Sequence, residues 1–91
     1  MEKTHYNIIV KGKVQGVWFR KYTKEKADKL GVKGFVKNKL NSNVYVEAEG
    51  YSIDLKAFIE WLYVGSPMSI VSSVDYTEGE FTDFQTFKIK R

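Results

Sequence analysis

Apolar and polar positions alternate over residues 5–11, where Tyr6, Ile8 and Val10 share one face, and this predicts a first strand. Ile9 breaks the strict alternation, so the strand is expected to be partly covered on both sides. Beyond residues 12–16 the period changes. Phe19, Thr23, Ala27 and Leu30 recur at helical spacing, which predicts a helix over Phe19–Leu30 with Gly31 as its left-handed stop. "VKGFVKNKL" and "NVYVEAE" then read as a hairpin around polar residues 41–43. In its second arm Val44, Val46 and Ala48 face one way, and Tyr45, Glu47 and Glu49 the other. Ser52 is expected to cap a second helix, with Asp54 in its first turn and an apolar stripe of Leu55, Phe58, Ile59 and Leu62. Gly65 and Pro67 end it, and "SIVSSVDY" and "FQTFKIK" complete the pattern as strands.

The order strand, helix, strand, strand, helix, strand, with one more strand at the C-terminus, predicts an α+β class fold. It is a ferredoxin-like split βαβ sandwich, with two helices on one face of an antiparallel sheet. All 91 residues are expected to form one domain. Such a fold carries many unrelated activities, so function has to be read from a site.

Composition narrows the chemistry. The chain is 43% hydrophobic and 15% aromatic, enough for a core in a domain that hides only about two-thirds of its unfolded surface. Cysteine is absent, which removes disulfides and thiolate metal sites and permits a cytoplasmic location. No stretch approaches the roughly 20 apolar residues of a membrane span, and the opening residues do not resemble a secretory leader. A net charge of +4 suits an anionic partner, and solubility accounts for it equally well.

His5 is the only histidine, so nucleophilic triads and zinc sites lack their parts, and it reads as an ordinary strand residue. Glu47 and Glu49 share a face and read as a solvated sheet surface rather than an acid–base pair. "KGFVKN" begins like the signature strand of RNA recognition modules but lacks its second aromatic step, leaving Tyr45 as a lone candidate for base stacking.

The remaining feature is "GKVQGVWFR", residues 12–20, between the first strand and the first helix. Gly12 and Gly16 are expected to relax a loop whose main-chain N–H groups approach a ligand. The loop runs into a helix N-terminus, where unpaired N–H groups carry partial positive charge. Arg20 adds a planar fork that binds two oxygens of a phosphate or carboxylate, although the helix dipole there disfavours a cation. An anion held between them would resolve that conflict. The plain alternative is a glycine-relaxed turn with a surface arginine. Val17 and Phe19 belong to the core on either reading.

The same nine residues closely resemble the signature of the acylphosphatase family, small enzymes that hydrolyse the mixed anhydride of a carboxylic acid and phosphate. The resemblance extends through "ADKLGVKGFVKN", "VYVEAEG" and "FIEWL", and so over nearly the whole chain. It implies that Arg20 and the loop N–H groups of Gln15, Gly16, Val17, Trp18, Phe19 and Arg20 bind phosphate, and that Asn38 orients the attacking water. It also implies a small acyl phosphate as substrate, inorganic phosphate as product, no metal and no cofactor. Two departures stand out. Trp18 occupies a place where many relatives carry a smaller residue, and "NSN" lacks the glycine often found in that hairpin.

The expectation is thus a monomeric cytoplasmic acylphosphatase with neither membrane nor nucleic-acid partners. The alternative is an anion- or nucleic-acid-binding module of the same fold without turnover.

Overall fold

The computed structural model describes residues 2–91. Its elements follow as β1 (Lys3–Lys13), α1 (Phe19–Leu30), β2 (Lys33–Asn38), β3 (Val44–Tyr51), α2 (Ser52–Val64), β4 (Ile70–Glu78) and β5 (Phe87–Lys90). The strands form one sheet in the order β4-β1-β3-β2-β5, with both helices packed on one face. The first four strands pair antiparallel, as the split βαβ order requires. The wholly antiparallel sheet expected from sequence needs correcting at β5, which runs parallel to β2 and makes the sheet mixed. The cause is topological: β4 and β5 lie at opposite edges, so the chain between them crosses the sheet instead of turning back. The connector, residues 79–86, spans four strand spacings of about 4.8 Å, within reach of an extended run of that length.

Alternation sets the core. Ile8, Val10, Val36, Val44, Val46 and Ala48 point from the sheet towards Phe19, Ala27, Leu55, Phe58 and Leu62 of the helices, and all are buried. α1 occupies the predicted span, and Thr23 on its buried face satisfies its hydroxyl by donating to the Phe19 carbonyl (2.8 Å). α2 differs at its start. Tyr51, extended at φ −71°, takes the cap position, so Ser52 lies inside the helix and no side chain caps it. Ile9 differs too: it is 39% exposed, because the helices cover only the opposite face. The hairpin turn manages without glycine by placing Ser42 at φ 73°.

Gly12 is a further correction. It lies inside β1, at a bulge against β4, rather than in the loop. Its φ of 130° and the Ile70 carbonyl beside it leave no room for a Cβ, so it serves the strand pairing.

Candidate active site

Topology brings the predicted residues to one end of the molecule. β1 and β2 both pair antiparallel with β3, so their C-terminal ends coincide, and β5, parallel to β2, ends there as well. The loop after β1 and the start of α1 complete the group. Together they line a cleft of about 400 Å³ formed by Val14, Gly16, Trp18, Phe19, Arg20, Lys21, Asn38 and Ile89.

The loop is fixed from below and from both sides. Val14, Val17 and Phe19 are buried and hold it to the core. Ser66, past the end of α2, donates its hydroxyl to the Val17 carbonyl (2.8 Å), and this contact is buried. The Gln15 amide donates to the carbonyls of Lys39 and Asn43, both at 2.8 Å, tying the loop to the β2–β3 hairpin. Gln15 and Val17 therefore brace the loop with their side chains, which do not line the cleft. Gly16 takes φ 72° with open space around it, so conformation and not crowding calls for glycine.

Trp18 occupies the cap position of α1 in the left-handed region, at φ 61° and ψ 19°, and provides no side-chain cap. The first internal helix bond runs from the Tyr22 N–H to the Trp18 carbonyl (3.1 Å). The N–H groups of Phe19, Arg20 and Lys21 precede it, without internal partners and with no acidic side chain in the first turn. Arg20 donates one guanidinium N–H to the Lys90 carbonyl (3.1 Å), which anchors the side chain to β5 and leaves its other donors available. Among the described residues no carboxylate forms an ion pair with it.

Asn38 ends β2 on the same face as Val36, directed towards the helices. Its Oδ1 is buried in the cleft wall and no protein donor reaches it. An unpartnered buried acceptor costs about 1–3 kcal/mol, which makes it a natural place for a ligand's hydrogen. The cleft thus combines an anchored guanidinium, free amides and one free acceptor. That set can bind an anion and hold a hydrogen-bonding molecule beside it.

Lys21, Val14 and Ile89 line the cleft in addition to the residues expected from sequence. Ile89 lies far along the chain, and only the parallel pairing of β5 with β2 reveals its place. Among the described residues no three His, Cys, Asp or Glu side chains gather as metal ligands. On the sheet face away from the helices the aromatic side chains already have partners. Phe84 packs edge-on against Phe35 (5.9 Å between centroids), Lys90 lies over the same ring, and the Tyr45 hydroxyl is engaged by Glu47 (2.8 Å).

Comparisons with known proteins bear on the family and the fold. The acylphosphatase family model matches residues 6–89. An acylphosphatase of Marinobacter nauticus is 40% identical over 90 residues, covering 94% of this chain and 98% of that protein. The structure of an acylphosphatase from Coxiella burnetii superposes with a TM-score of 0.94 at 35% identity, covering 97% of this chain and 93% of the other. The crystal structure of the Bacillus subtilis acylphosphatase gives a TM-score of 0.94 at 37% identity, covering 99% and 100%. A family match over nearly the full length, with the same fold and matching relatives, has one meaning: this chain belongs to the acylphosphatase family of hydrolases.

Proposed function

We propose that acyl phosphates are hydrolysed in the cleft at the start of α1, with Arg20 and the loop amides of residues 15–20 binding the phosphate and Asn38 orienting the water. The supporting observation is the shared cleft: the anchored Arg20 guanidinium and the unpartnered Asn38 Oδ1 line the same cavity.

The chemistry asks little of the protein. An acyl phosphate leaves a carboxylate, which departs without prior protonation, so no general acid is required. As the phosphoryl group transfers, negative charge spreads over its equatorial oxygens, where fixed N–H donors and Arg20 bind it. One such donor contributes about 3–4 kcal/mol in the transition state. Asn38 accepts a hydrogen from water through Oδ1 and holds the oxygen in line with the scissile P–O bond. An amide is too weak a base to remove the proton, so a phosphate oxygen takes it. Water oxygen bonds to phosphorus, the P–O bond to the acyl carbon's oxygen breaks, and carboxylate and inorganic phosphate result.

Among the described residues no helix is long and apolar enough to cross a membrane. A cysteine-free chain suits a reducing compartment, and a cytoplasmic monomer is the setting we propose. The test is hydrolysis of acetyl phosphate in excess chelator. Turnover that persists and is inhibited competitively by inorganic phosphate supports the reading. Turnover that requires added metal, or inhibition that is not competitive, would contradict it.

A further inference from the structure

We infer that Trp18 and Ile89 form the wall that receives the acyl group, so that the cleft selects acyl phosphates with an apolar acyl group of ring size over those with a methyl. This rests on the proposed site, since it assigns the other end of the same substrate.

The apolar side chains of the cleft fall into two sets. Val14 and Phe19 are buried and form its floor. Trp18 and Ile89 line it while remaining 72% and 43% exposed, so they form its mouth. Ile89 follows Phe87 by two residues and points to the same side of β5. Phe87 packs against Phe58, whereas Ile89 lies further along, beside the start of α1, and stays uncovered on its cleft side.

Trp18 is harder to explain by folding. The helix cap position favours a short polar side chain that accepts from the first N–H groups, and tryptophan does neither. The left-handed backbone disfavours any residue with a Cβ. The indole gains little burial in return, and the Lys21 ammonium lies 5.9 Å from the centre of its ring. A large apolar ring held against local preference at the mouth of a cleft is accounted for by contact with something that enters the cleft. The entering molecule already has its phosphate assigned to Arg20 and the amides. What remains is the acyl group, which two apolar surfaces recognise by taking it out of water.

The experiment compares kcat/KM for benzoyl phosphate and acetyl phosphate in the natural protein, Trp18→Asn and Ile89→Ala. Asparagine tolerates the left-handed backbone, so the loop is kept while the ring is lost. The ratio of the two substrates cancels effects on phosphate binding common to both. The natural protein should favour benzoyl phosphate, and the ratio should fall roughly tenfold in Trp18→Asn and about fivefold in Ile89→Ala. A ratio unchanged in both variants, with acetyl phosphate still hydrolysed by the natural protein, overturns this inference and leaves the proposed site standing. No hydrolysis of either substrate by the natural protein would remove both.

Discussion

Nδ1 of His5 lies 2.6 Å from Oε2 of Glu49, with both side chains buried beneath the connector that crosses the sheet. The other imidazole nitrogen faces Asn7 Oδ1 at 2.9 Å and Glu47 Oε1 at 3.1 Å, so both ring nitrogens meet acceptors. Glu49 in turn accepts the backbone N–H groups of Thr82 and Phe84, while the Gly79 N–H donates to the His5 carbonyl. Phe84 stacks on the imidazole at 5.9 Å. The pair therefore clamps the connector that carries the chain to β5, and β5 carries Ile89 and the carbonyl that anchors Arg20.

Stability should depend on pH through this clamp. Burial pulls the His5 pKa down, but hydrogen bonds to Glu49 and Asn7 and the charges of Glu49 and Glu47 outweigh it and hold the value above the ordinary 6.5. Burial pushes Glu49 up, but the hydrogen bonds from His5, Thr82 and Phe84 and the His5 charge outweigh it and hold the value below the ordinary 4.5. The His5 contribution is complete below 6.5 and is lost as pH rises through its raised value. The Glu49 contribution is complete above 4.5 and is lost as pH falls through its lowered value. Denaturant unfolding across pH should show the joint contribution as a plateau between 4.5 and 6.5. Glu49→Gln should remove that plateau and cost about 3 kcal/mol. An unaltered pH profile in this variant would refute the clamp.

Gly12 and Gly16 should respond differently to alanine. Gly16→Ala meets only the left-handed backbone, at a cost of about 1–2 kcal/mol. Gly12→Ala meets both a forbidden φ and the β4 backbone, and should cost about 3 kcal/mol or more. Thermal denaturation of the two variants checks the order. Equal losses would contradict the bulge assignment.

Those two glycines also show how far sequence reasoning reaches. A glycine at a bulge and a glycine in a loop leave the same mark in the chain, so Gly12 was legible as special and not as a strand residue. α1 was legible throughout, because Phe19, Thr23 and Ala27 all serve one buried face. The spacing of Glu47 and Glu49 told that they share a face, but the solvated surface expected there is wrong for Glu49, which is buried. What covers that face depends on the route of the connector, which is a matter of tertiary structure. Arg20 was legible in the loop before α1, whereas Asn38 was singled out only by the family resemblance; both line the cleft. Lys21 and Ile89 carry no motif, and Ile89 joins the site only through strand order.

The loop braces should matter to the site as well as to the fold. Ser66→Ala leaves the buried Val17 carbonyl without its donor and should cost about 1–3 kcal/mol. Gln15→Ala loses two hydrogen bonds of about 1 kcal/mol each and frees the loop from the hairpin. Both variants should bind inorganic phosphate more weakly, by calorimetry, than the natural protein. Unchanged phosphate affinity in both would show that the loop keeps its shape without them.

The division of labour between Arg20 and Asn38 is tested most directly by measuring turnover and inorganic phosphate affinity side by side in Asn38→Ala and Arg20→Ala. Removing the Asn38 acceptor should abolish acetyl phosphate hydrolysis while leaving phosphate binding largely intact. Removing the Arg20 guanidinium should damage both. Near-normal turnover in either variant, or phosphate affinity lost in Asn38→Ala as severely as in Arg20→Ala, would contradict the account.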